Sequence, residues 1–122
     1  MMAGTCAHSW DTGYVRCLAV GRDGKIYSGG RDCTIRVWRG DDGALLQTLE
    51  SHTDTVGALV VGLDGTLFSA SNDGTLKVWR VDNGALVHAH TVTCTSPINV
   101  LAVGRSGALL SGDDDCNVLV WQ

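Results

Sequence analysis

The sequence predicts an all-β fold made of three repeated four-stranded units, and three observations carry that prediction. Trp38, Trp79 and Trp121 stand 41 and 42 residues apart, and the sets Asp32/Asp73/Asp115, Ser28/Ser69/Ser111 and Gly24/Gly65/Gly107 keep the same spacing. Residues 14–50 laid on 55–91 give 16 identities in 37 positions, and residues 14–38 laid on 97–121 give 12 in 25. Between the repeated positions lie short apolar runs of strand length, separated by polar glycine-bearing turns, and no segment has helical periodicity. Self-similarity at such a period means stacked supersecondary units, each burying its apolar faces against its neighbours. The units run from about 8–50, 51–91 and 92–122, and together they form one domain over residues 1–122.

Each element has a local reason. The segments VRCLAV, VGALVV and INVLAV are apolar on both faces, as a strand held between two layers must be. Arg-Asp-Gly, Leu-Asp-Gly and Arg-Ser-Gly then read as turns. KIYSG, TLFSA and ALLSG are the second strands. A polar turn ending in Asp leads to TIRVW, TLKVW and NVLVW, which alternate; Ile35 and Val37 share one face, Thr34, Arg36 and Trp38 the other. Gly-Asp-Asp-Gly and Val-Asp-Asn-Gly read as hairpin turns, because Asp-Gly and Asn-Gly tolerate the positive φ such turns need. ALLQTL and ALVHAH complete the first two units as fourth strands.

Composition narrows the function classes. Apolar residues make up 44% of the chain, enough for a packed core. A net charge of −4 argues against nucleic acid as a partner, which asks for a basic face. The longest apolar runs have four residues, Ala58–Val61 among them, so no membrane span is expected. The first eleven residues lack a basic stretch followed by a long apolar one, so no secretory signal is expected either. Five cysteines without Cys-x-x-Cys spacing read as free thiols in a reducing compartment, the cytoplasm or nucleus.

The pattern resembles the WD40 family of β-propellers. The likeness is fullest in the second unit: His52, Val56, Asp64-Gly65, Ser69-Ala70-Ser71, Asp73-Gly74-Thr75 and Val78-Trp79. Arg39, Arg80 and Gln122 replace the Asp that follows Trp in the family pattern, which marks these as divergent repeats. The resemblance implies a partial or open propeller of three blades. It also implies a hydrogen-bonded tetrad inside each blade: His52, Ser69, Asp73 and Trp79 in the second, Ser28, Asp32 and Trp38 in the first, Ser111, Asp115 and Trp121 in the third. In the first and third units Asp11 and Cys94 stand in register with His52, and His8 and His90 are the alternatives.

Other chemistries fare poorly. Ser, His and Asp in one unit suggest a hydrolase, but Ser and Asp recur in every unit, whereas an active site occurs once. Cys6-x-His8 and His90-x3-Cys94 could in principle ligate a metal, yet they belong to different units and neither has zinc-knuckle spacing. The glycines sit at turns and none opens a helix, so phosphate-cradling loops are not expected. No catalytic residue, metal or cofactor is therefore expected.

The function that the resemblance implies is a protein–protein interaction scaffold, the alternative being a substrate-receptor or regulatory subunit of a ubiquitin-ligase-type complex. Family members present to partners the loops before the first strand and between the second and third. The matching positions are Tyr14, Arg16 and Arg31; Thr55, Gly57 and Asn72; Pro97, Asn99 and Asp114. Six of the nine basic residues precede residue 40, while Asp113-Asp114-Asp115 makes the third unit acidic. Three blades in a row leave two apolar blade faces without a neighbour, so self-association or further blades are expected.

Overall fold

Alternating apolar strands joined by glycine turns build antiparallel sheets, and the computed structural model, which describes residues 14–94, 96–115 and 117–121, has three of them. The first holds β1 (Val15–Val20), β2 (Lys25–Gly30), β3 (Ile35–Arg39) and β4 (Leu45–Leu49), hydrogen-bonded in chain order. The second repeats that order with β5 (Val56–Val61), β6 (Leu67–Ser71), β7 (Thr75–Asp82) and β8 (Ala85–Thr93). The third contains β9 (Ile98–Val103), β10 (Leu109–Asp113) and β11 (Val118–Trp121), and has three strands among the described residues.

The turns follow their residue chemistry. Gly24, Gly65 and Gly107 take φ of 84°, 89° and 87° between the first and second strands of each sheet, where a side chain would be strained. The two later hairpins differ despite their similar sequences. Asn83 and Gly84, with φ of 51° and 81°, make a two-residue turn, so β7 continues through Val81 and Asp82. In the first sheet the chain leaves β3 at Gly40. A Cβ there would lie 2.3 Å from the Gly24 carbonyl oxygen, a closeness only glycine allows. The loop is closed by the Arg39 amide on the Ala44 carbonyl and the Gly43 amide on the Arg39 carbonyl, each 2.8 Å long. Both segments had been expected to turn over all four residues; the second uses only the last two.

Two apolar layers hold the sheets face to face as blades. Ala19, Tyr27, Ile35, Val37 and Leu49 of the first pack against Val56, Leu59, Leu67, Trp79 and Leu86 of the second. Ala58, Ala70 and Leu76 of the second meet Ile98 and Leu109 of the third, with Phe68, Leu101 and Trp121 at the margins. Gln47 adds a polar clamp between blades. Its side-chain N–H donates to the Leu86 carbonyl at 2.7 Å, and its Oε1 accepts the Leu86 amide at 2.9 Å.

The central strand of the three, β5, is buried as expected of a sandwiched strand; β1 and β9 are not. Leu18 and Val20 are 63% and 70% exposed, and Val100 is 62% exposed. On β11, Val118 and Val120 are 78% and 58% exposed. The residues Val100, Ala102, Leu110, Gly112, Val118 and Val120 occupy the repeat positions of Ala58, Val60, Phe68, Ala70, Leu76 and Val78. Those second-blade residues form the face turned to the third blade, so the third blade ends in the same kind of apolar face.

Candidate functional site

Two groups of polar side chains were singled out by the sequence, one inside the blades and one on their rim. Inside the second blade, β6 brings Ser69 and β7 brings Trp79 to diagonal positions, Ser69 opposite Lys77 and Trp79 opposite Leu67. The Trp79 indole N–H donates to Ser69 Oγ at 2.9 Å. His52 lies above them, with Nε2 2.7 Å from Ser69 Oγ and Nδ1 3.0 Å from Asp73 Oδ2. An ionised Asp73 can only accept, so it accepts a hydrogen bond from Nδ1–H; Nε2 then accepts one from the Ser69 hydroxyl. Donation therefore runs in one direction from Trp79 through Ser69 to His52 and on to Asp73, and each group is satisfied. Ser69 is fully buried at 0% exposure, which leaves its oxygen no access to a substrate.

Asp73 has further partners that sequence reasoning missed. Thr75 donates to Asp73 Oδ1 from both its amide, at 2.9 Å, and its hydroxyl, at 2.6 Å, and the Thr53 amide reaches Oδ2 at 3.0 Å. The available signal was the Asp-x-Thr triplet, since Asp32 and Thr34 repeat the pair: the Thr34 amide and hydroxyl both donate to Asp32 Oδ1.

The other blades keep only half of the arrangement among the described residues. Trp38 donates to Ser28 at 2.9 Å and Trp121 to Ser111 at 2.8 Å. Asp32, expected beside a histidine, pairs with Arg36 at 2.6 Å on the surface, its Oδ2 accepting from the guanidinium. Asp115, expected in the third set, is exposed, and its amide donates to Asp113 Oδ1 at 3.0 Å. Asp113 also accepts the Asn117 amide at 2.9 Å, a local carboxylate-to-amide turn that takes the position of Ser71 in the second blade. Of the candidate histidines, His8, like Asp11, lies outside the described residues. His90 lies within β8 opposite Val78, so it belongs to the second blade and not to a loop above the third. Cys94 is bound through its amide to the Gly74 carbonyl at 2.8 Å. Among the described residues no group of three His, Cys, Asp or Glu side chains could hold a metal ion, and Cys6 is outside them.

On the rim, the same repeat places three positions in each blade. The amides of Arg31, Asn72 and Asp114 donate to the carbonyls of Tyr14, Thr55 and Pro97 at 3.1, 3.0 and 3.1 Å, tying the two loops of each blade. Immediately below, the inner strand of every blade carries a β-bulge. The register shifts between Val15 and Cys17, between Val56 and Ala58, and opposite Gly112/Asp113, so Arg16, Gly57 and Asn99 are the extra residues. A bulge leaves its extra residue outside the ladder and re-aims it. Here the three converge: Arg16, Gly57 and Asn99, with Val15, Thr55 and Asn72, line a polar pocket of about 330 Å³. Tyr14 and Arg31 lie outside that lining, the Arg31 guanidinium carbon 5.5 Å from the Tyr14 ring centroid in a cation–π contact. Asp114 accepts a hydrogen bond from the Asn99 side-chain amide.

Three matches to the family described as "WD domain, G-beta repeat" cover residues 4–39, 43–80 and 85–122. Among solved structures, the chain is similar to the crystal structure of the WD40 beta propeller domain of Doa1. The TM-score is 0.79 and the identity 28%, over 88% of this chain and 36% of that one. The chain thus spans about a third of the length of that relative. No curated protein sequence matched.

Two expected outcomes follow from the buried relay. Trp79→Ala removes a large buried ring and its N–H bond and lowers stability by about 3–5 kcal/mol, read as a fall in melting temperature; an unchanged melt would show the ring to be dispensable. The second concerns pH. Burial lowers the His52 pKa against the opposing pull of Asp73. Burial by itself disfavours the Asp73 carboxylate, but hydrogen bonds from Thr75, Thr53 and His52 outweigh it and hold its pKa well below the usual range. Both folded-state values lie below the unfolded ones, so the unfolded chain binds more protons in acid. The stabilisation is complete above about pH 6.5, falls as His52 would protonate, and falls again below about pH 4. Melting temperature should drop between pH 7 and 5, and His52→Gln should flatten that interval.

Proposed function

The chain belongs to the WD40-repeat family of β-propellers, and from that membership we propose that it is a protein-interaction scaffold whose rim engages a partner protein. WD40 propellers generally bind other proteins, and the observation that carries the reading to this surface is the convergence of three bulge residues on one polar pocket. Around it stand Tyr14, Arg16 and Arg31 from the first blade, Thr55 and Asn72 from the second, and Asn99 and Asp114 from the third. Tyr and Arg are favoured interface anchors, because they combine apolar area with directed hydrogen bonds. The proposed compartment is the cytoplasm or nucleus. Cys17, Cys33 and Cys94 are free thiols, and burial pushes the Cys17 thiol up to about 11, which keeps it protonated and unreactive at neutral pH.

The exposed face of Val100, Val118 and Val120 supports a second contact, with a further blade supplied by more repeats or by a second copy. Two of its repeat equivalents, Ala58 and Leu76, are buried between blades, and a patch of this kind is rarely left open on a monomer.

Two measurements test these readings. In a pull-down, the pair Tyr14→Ala and Arg31→Glu should lose partner proteins that the parent chain retains; retention of every partner would count against the rim. In sedimentation at micromolar concentration, the chain should run heavier than its own 12.9 kDa. A stable particle of that mass that binds no apolar dye would remove the blade-face contact.

A further inference from the structure

Gly57 has no role that the fold accounts for. Its φ lies outside the left-handed region, and a Cβ built on it would meet nothing within 4 Å. The contrast is with Gly29, where a Cβ would lie 2.7 Å from Val56 Cγ1. Glycine inside a strand weakens it by roughly 0.5–1 kcal/mol relative to alanine, and it often marks a place where a ligand approaches the backbone. At the same bulge position the first blade has Arg16 and the third has Asn99. Gly57 is therefore a notch between two polar side chains, opening into the 330 Å³ rim pocket.

The lining specifies a chemistry. Arg16 is its one charged group, and the other polar side chains are Thr55, Asn72 and Asn99. Arg16 is exposed and has no carboxylate within ion-pair distance among the described residues. The acids nearest along these loops are already engaged: Asp54 accepts the Thr55 amide at 2.6 Å, and Asp114 accepts the Asn99 side chain. A guanidinium offers a planar fork of N–H donors that matches a carboxylate, with neutral amide and hydroxyl donors beside it to complete the shell. A single cation balances a carboxylate's one charge and falls short of a phosphate dianion.

We propose that the notch at Gly57 is a subsite for a carboxylate carried by a partner protein, held by Arg16 and flanked by Asn72 and Asn99. This rests on the rim being the partner-binding face. The carboxylate comes from an acidic side chain or from a chain terminus, which share the chemistry.

The test is a titration of the ¹⁵N-labelled chain followed by amide chemical shifts, with small probes that report the subsite directly. N-acetylglutamate α-amide should give saturable shifts at Arg16, Gly57, Asn72 and Asn99, and N-acetylglutamine α-amide should not. Arg16→Gln, which removes a hydrogen bond to a charged group, and Gly57→Leu, which fills the notch, should each weaken binding on the order of tenfold, while the spectra remain dispersed. Gly57→Ala should melt no lower than the parent, since the added methyl meets nothing. Tighter binding of N-acetylalanine keeps the carboxylate subsite and assigns it to a chain terminus. Equal shifts with the glutamine probe, full binding by Arg16→Gln, or tighter binding of inorganic phosphate would each overturn the proposal. If Tyr14→Ala with Arg31→Glu abolishes partner capture while Arg16→Gln and Gly57→Leu leave it intact, the rim reading stands and the notch falls.

Discussion

Face-to-face burial of the blades is the constraint on which everything else in this chain depends. A four-stranded sheet of this size has two apolar faces, and water penalises both at roughly 25 cal/mol per Å². The second blade satisfies the constraint on each side, with Val56, Leu59, Leu67 and Trp79 against the first blade and Ala58, Ala70 and Leu76 against the third. The outer blades satisfy it once. This accounts for the gradient of exposure along equivalent strands, where Val56 of the middle blade is fully buried while Val15 is 40% exposed. It also accounts for polar groups at blade contacts being bonded: Gln47 meets both backbone groups of Leu86, because an unpaired amide in that seam would cost more than it returns.

The buried relay in the second blade answers the same demand at the blade top. Trp79 fills space between blades but brings an N–H into the core, and Ser69 accepts it. Ser69 then has a hydroxyl proton to place, which requires His52, whose other nitrogen requires Asp73. Each polar group entails the next until the chain of bonds reaches Thr53 and Thr75 near the surface. Serine, histidine and aspartate here are bonded in the same order as a hydrolytic triad; the burial of Ser69 and its bond from the Trp79 N–H make the set a structural device. Among the described residues the first and third blades show the Trp-to-Ser bond, with Asp32 in an ion pair with Arg36 and Asp113 in its own turn.

The rim pocket arises from regularity and its interruption. Three bulges at one repeat position aim the equivalent residue of each blade at the same space, and the three residues differ: a cation, no side chain and an amide. A regular array thus produces an asymmetric site without any special loop. The scaffold is shared by all blades, and the chemistry is set by which residue happens to occupy the bulge.

Much of this was legible in the sequence, because it depends on local chemistry repeated three times. Strand length, alternation, turn glycines and the spacing of Trp38, Trp79 and Trp121 are properties of neighbouring residues, so they predicted the sheets and their order. The rim positions were legible for the same reason, as repeat equivalents. What depended on through-space distance was not. Nothing in Gly40-Asp41-Asp42-Gly43 shows that Gly40 is pressed against the Gly24 carbonyl, which ends β3 early, whereas Val81 lets β7 run on to a tight Asn83-Gly84 turn. Repeat register assigned Asp32 and Asp115 the part of Asp73, but which donors reach a carboxylate, as the Arg36 guanidinium reaches Asp32, is set by distances that register does not contain. The empty space around Gly57 is likewise invisible in one dimension: a glycine required by backbone strain and one that leaves a notch are the same letter, and only the positions of the atoms around it distinguish them.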